Sequence, residues 1–129
     1  MPIRLDFTEH HHSIICLSFQ IPWTWSEFSG VVKQVRQMMS RNRDPDHPLY
    51  LILDMTTAGH LPTGTLQNLN LVMERIQPTN GKVIIVGADW LMYSFIQTLY
   101  RISPSTRNRG NIAFTDTIEE ALSLIEIQS

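Results

Sequence analysis

The sequence predicts an α/β fold, a single domain with a mostly parallel sheet in the order β-β-α-β-α-β-α-β-α, its first strand running antiparallel. Three observations lead there. Two runs, Leu49-Tyr50-Leu51-Ile52-Leu53-Asp54 and Lys82-Val83-Ile84-Ile85-Val86-Gly87, are continuously apolar over strand length. Such runs suit central parallel strands buried on both faces. Segments with helical periodicity alternate with them. The opening residues instead carry two β-rich stretches around a short polar joint, the pattern of a hairpin.

The elements follow in order. Ile3 to Thr8 alternates apolar and polar residues, as a half-buried strand does. Glu9-His10-His11-His12 interrupts it, and Ser13 to Phe19 returns as the second strand. In Pro22-Trp23-Thr24-Trp25-Ser26-Glu27-Phe28, Thr24 and Glu27 have the spacing of a capping box, and Trp23 and Phe28 that of a hydrophobic staple. Phe28, Val31, Val32, Val35, Met38 and Met39 continue as one helical stripe, ending near Ser40 before a loop marked by Pro45 and Pro48. After the strand Leu49–Asp54, the residues Leu66, Leu69, Val72 or Met73, and Ile76 mark a second helix, with Thr63 or Thr65 as its cap. Pro78-Thr79-Asn80-Gly81 is a turn before the next strand. Asp89 caps a third helix from Trp90 to about Ile102, which Ser103-Pro104 ends. Asn111 to Thr115 is the last strand, and Thr117 with Glu120 opens the last helix through a second capping box.

Composition limits the function classes. The 129 residues make one domain, 1–129, with 43% hydrophobic and 17% charged residues. A net charge of −2 gives no global basic field for nucleic acid. The single cysteine, Cys16, excludes a disulfide framework within the chain and Cys-rich zinc sites. No apolar run reaches the roughly 20 residues of a membrane span, and no leader pattern is visible, so a cytoplasmic protein without membrane insertion is expected.

The order of elements, carried by Leu49–Asp54, Lys82–Gly87 and Phe114-Thr115-Asp116-Thr117-Ile118-Glu119-Glu120-Ala121-Leu122, resembles the STAS domain of sulfate transporters and anti-sigma-factor antagonists. It is closer to the divergent SpoIIAA-like branch, which shares a structural class with the CRAL-TRIO lipid-binding fold. Trp23 to Phe28 and His60-Leu61-Pro62-Thr63-Gly64 are similar to a group of small bacterial STAS-like proteins. In the antagonists an Asp-Ser-Ser/Thr-Gly motif carries a phosphorylated serine at the start of the second helix. The corresponding residues here are Leu61-Pro62-Thr63-Gly64-Thr65, with Pro62 at the aspartate position and Thr63 at the serine position. The resemblance thus makes Thr63 a candidate phospho-acceptor, since a phosphate suits a helix N-terminus. As a residue alone, Thr63 reads as an N-cap. The lipid-binding relationship implies a second reading, a binder of a lipid or other small apolar ligand.

His10 and His12 share a strand face, but two ligands do not make a metal site, and the triplet reads as a solvated turn. Asp54 and His60, with Thr65, form a candidate functional loop after a parallel strand, where open α/β sheets place their sites. No nucleophile motif or phosphate-binding loop accompanies them, so Asp54 is expected to bond backbone amides, and catalysis by Asp54 and His60 is the minor reading. Arg41, Arg43, Arg101, Arg107 and Arg109 read as solvated loop residues.

The third helix has a broader apolar arc than one sheet contact needs. Leu91, Phe95, Leu99 and Ile102 are expected to face the sheet, leaving Trp90, Tyr93, Ile96 and Tyr100 beside that stripe as a candidate interface. The function expected is a non-enzymatic interaction or regulatory module. It acts on a protein partner or on a second copy through this helix, and no cofactor or metal is implied.

Overall fold

The computed structural model describes residues 3–9, 13–41, 49–59, 68, 83–102 and 112–128. It is an α/β structure whose five strands lie in chain order across one sheet. The strands are β1 (Ile3–Glu9), β2 (Ser13–Phe19), β3 (Leu49–Asp54), β4 (Val83–Val86) and β5 (Ile112–Thr115). Among the described residues the bounded helices are α1 (Trp25–Arg41), α2 (Trp90–Ile102, the helix expected third along the chain) and α3 (Ile118–Gln128). β1 pairs antiparallel with β2, from Ile3 opposite Phe19 to Glu9 opposite Ser13, and the remaining pairs are parallel.

Strand alternation divides the core in two. Ile15, Leu17 and Phe19 of β2, Leu49, Leu51 and Leu53 of β3, and Val83 and Ile85 of β4 point to one face, where α1 and α2 pack. Tyr50, Ile52, Ile84 and Val86 point to the other, where Ala121 and Ile125 of α3 cover them. The steps β2-α1-β3 and β4-α2-β5 move the same way along the sheet with helices on one face, so they share one hand, as parallel crossovers do. α3 closes the opposite face over β3, β4 and β5. Towards β1 and β2 that face turns polar, with Arg4, Asp6, Cys16 and Ser18.

Both capping boxes form. Thr24 Oγ1 accepts the Glu27 N–H at 3.1 Å and donates to Glu27 Oε1 at 3.1 Å. Thr117 Oγ1 accepts the Glu120 N–H at 3.2 Å and donates to Glu120 Oε1 at 3.3 Å. Trp23 and Phe28 meet with ring centroids 6.1 Å apart, closing the staple, and both rings pack on Phe19. Thr24→Ala should therefore cost about 1 kcal/mol in urea unfolding, the usual loss for an N-cap. No measurable change would mean that the box does not hold the start of α1.

α2 differs from the expectation. Met92 and Ile96 are its buried residues, Ile96 at 0% exposure, whereas Leu91 is 45% exposed. Among its described side chains the sheet-facing stripe is Met92, Phe95 and Ile96, rotated by about 60° from the one read off the sequence. Ile96 is core, not interface, and the face expected to pair two copies loses its centre. Its apolar arc is broad, interrupted only on one side by Ser94, Gln97, Thr98 and Arg101, so periodicity alone could not set which part of the arc faces the sheet. Asp89, whose Oδ1 accepts the Met92 N–H at 2.8 Å, starts α2 directly after the β4 turn. The side chain of Tyr100 lies outside what the structure describes. So do His10 to His12, His60, Thr63 and Thr65, and of the second expected helix only Asn68 is described, as helical.

Candidate functional site at the carboxyl ends of the strands

Each parallel strand from β3 to β5 is followed within three residues by an aspartate or ends on one: Asp54, Asp89 and Asp116. Asp54 is committed to its own turn. Its Oδ1 accepts the Thr56 N–H at 3.1 Å and the Thr56 hydroxyl at 2.6 Å. The expected amide-binding role is observed, and the geometry leaves this oxygen little freedom for acid–base work. The turn is pinned from the other side as well. Trp23 Nε1 donates to Ala58 O at 3.0 Å, and Thr57 Oγ1 to Phe19 O at 2.7 Å. The Met55 N–H reaches Val86 O at 2.8 Å, and the Gly87 N–H reaches Thr115 O at 2.9 Å, so the three strand ends are tied in series.

Gly87 makes that approach feasible. Its φ is +69°, and a Cβ there would meet Thr56 Cα at 3.1 Å and Thr56 N at 3.2 Å. The turn after β4 thus lies against the turn after β3, with no room for a side chain between them.

Two open hollows flank the residues after this glycine. The smaller, about 170 Å³, lies between the β3 and β4 turns and includes Met55, Thr56 and Met92. The larger, about 360 Å³, lies between the starts of α2 and α3. Ala88 and Asp89 belong to both. The larger hollow has aromatic walls, Trp90, Tyr93 and Phe114, and three carboxylates, Asp89, Asp116 and Glu120. Tyr93 and Phe114 meet edge to face with ring centroids 4.9 Å apart. Trp90 stands 78% exposed at the mouth, with Tyr93 at 46%. Among the described residues, no lysine, arginine, histidine or cysteine lines it.

These residues define the chemistry. Of the free amides at the starts of α2 and α3, Asp89 takes the Met92 N–H and Thr117 the Glu120 N–H, and the side chains that line the hollow add carboxylate oxygens and ring faces. Ring faces with nearby carboxylates attract cations. Among the described residues, no group of three or more His, Cys, Asp or Glu side chains is placed to hold a metal ion. The three carboxylates therefore suit an extended cationic partner better than a point ion.

Of the residues expected at a site, the structure brings Trp90 and Tyr93 together and assigns Asp54 to a turn. The sequence reading missed Asp89, Phe114, Asp116 and Glu120 as parts of one hollow. The available signal was the aspartate recurring after successive parallel strands, at the end of the sheet where such folds hold ligands.

Cys16 stands apart, on the α3 face of β2. Burial pushes its thiol pKa up; the Ser18 hydrogen bond opposes this, and the carboxylates of Asp54 and Asp6 add to it. A thiol held protonated is a poor nucleophile.

No protein-family model matches the chain, and no curated protein matches it either. No described helix is long and apolar enough to cross a membrane.

Proposed function

We propose that this chain is a non-enzymatic, cytoplasmic interaction module of STAS-like architecture, and that its carboxyl-end hollow receives a basic segment of a protein partner. One observation carries the reading: Trp90, 78% exposed, and Tyr93 stand over a hollow rimmed by Asp89, Asp116 and Glu120, with no cation among the described residues of its lining. An exposed tryptophan of this kind loses water-accessible apolar surface on docking and is a frequent anchor of protein contacts. A lysine or arginine from the partner would lie on the rings and be paired by the carboxylates. The three carboxylates make the hollow a poor match for the lipid-like ligand of the alternative reading.

Fluorescence tests this directly, because Trp23 and Trp25 are buried and Trp90 is not. A lysine- and arginine-rich peptide should change the emission saturably and bind more weakly as salt rises. An acidic peptide of the same length should have no effect. Combining Trp90→Ala with Asp116→Asn should weaken the basic peptide at least about tenfold. Equal responses to both peptides, or none to either, would refute the proposal.

A further inference from the structure

β1 is the free edge of the sheet furthest from the hollow. Among the described residues it pairs with β2 alone, over its full length of seven residues, whereas the opposite edge, β5, has four. A long edge strand is a template for another chain, and charges on it are the common guard. β1 carries Arg4 and Asp6 on its polar face, joined within the strand by Arg4 Nε to Asp6 Oδ2 at 3.0 Å. On its other face it carries Ile3, Leu5 and Phe7, with Phe7 46% exposed.

We propose that β1 pairs with β1 of a second copy of this chain, antiparallel, about a two-fold axis centred on Leu5. The result is one continuous sheet with five strands from each copy. Register follows from parity. A two-fold axis perpendicular to the sheet keeps each face continuous only if it passes through a residue position, because opposed residues must point the same way. An axis at Arg4 sets arginine against arginine. An axis at Asp6 sets aspartate against aspartate, and an axis at Phe7 sets Leu5 against a glutamate. The axis at Leu5 sets Arg4 against Asp6 of the partner subunit, twice by symmetry. On the apolar face it sets Leu5 against Leu5 of the partner subunit and Ile3 against Phe7 of the partner subunit, covering the exposed ring. The charges that repel other partners thus become complementary to a second copy.

Little is given up in the exchange. The pair within the strand is solvent-exposed, at 76% and 47%, and exposed pairs contribute little. This inference does not depend on the function proposed above. A dimer of this form leaves both hollows free near its outer ends, roughly 40 Å apart at about 4.8 Å per strand.

Charge reversal tests it by sedimentation velocity, with circular dichroism to follow the fold. The wild type should be dimeric at concentrations on the order of 100 μM. Arg4→Asp opposes aspartates and Asp6→Arg opposes arginines, so each alone should raise the dimer dissociation constant at least about tenfold. The double variant R4D/D6R should restore the dimer. An equimolar mixture of the two single variants should form the heterodimer, since each then supplies what the other lacks. A monomeric wild type, or single variants that dimerise like the wild type, overturns the proposal. If a single variant loses its fold, the double variant decides: a folded monomer refutes the register, and a dimer of wild-type affinity supports it.

Discussion

Replacing Ile96 with aspartate is expected to remove most of the stability of the domain. Ile96 is 0% exposed, on the α2 stripe that packs against the sheet, within the cluster that includes Met92, Leu53 and Ile85. Loss of its apolar volume alone, as in Ile96→Ala, should cost about 2–4 kcal/mol. A carboxylate in its place would also have to be desolvated without a partner, which adds about 3–5 kcal/mol or forces the helix off the sheet. Domains of this size have about 5–15 kcal/mol in all, so Ile96→Asp should be largely unfolded without denaturant. Trp90→Asp, on the same helix but exposed, should shift urea unfolding by less than about 0.5 kcal/mol. If the two variants melted alike, the rotation of α2 would be the one expected from its sequence, with residue 96 facing solvent.

Gly87 is the second sensitive position. Its backbone lies in the left-handed region, where a Cβ costs about 1–2 kcal/mol. The Cβ would also press on the backbone of Thr56, and Thr56 is held by Asp54, so the obstacle cannot swing away. Gly87→Ala should therefore destabilise by about 2–4 kcal/mol. Gly59 separates the two effects. Its φ is +67°, but its added Cβ would meet only the side chain of Ile21, itself 69% exposed and able to move. Gly59→Ala should cost about 1 kcal/mol, from the backbone alone. Equal losses at the two glycines in chemical denaturation would show that the Thr56 turn yields, and that the tie between the strand ends is loose.

The candidate site was only partly legible. Trp90 and Tyr93 stood out because two large aromatic residues lay beside a stripe that had apolar side chains enough without them. Their neighbours Phe114, Asp116 and Glu120 come from a different crossover, and nothing local in the chain says that the starts of α2 and α3 lie across one hollow. Asp89 and Asp116 read as turn and cap residues, which they also are. Their second role, as carboxylates facing aromatic rings, exists only once β4 and β5 are side by side.

What the sequence determined by itself is the set of features whose causes are local. The strand runs at Leu49–Asp54 and Val83–Val86, the caps at Thr24, Asp89 and Thr117, the Trp23–Phe28 staple and the Asp54 turn each depend on residues within a few positions of one another. The tertiary structure decided the rotation of α2, the face that α3 covers and the composition of the hollow. A helix whose apolar arc is wider than one sheet contact needs has no preferred part of that arc until a sheet is present to choose one. α3 covers the face that α1 and α2 leave bare, over β3, β4 and β5. Both choices are made by long-range burial, which selects among arrangements that the local signals leave nearly equal in energy.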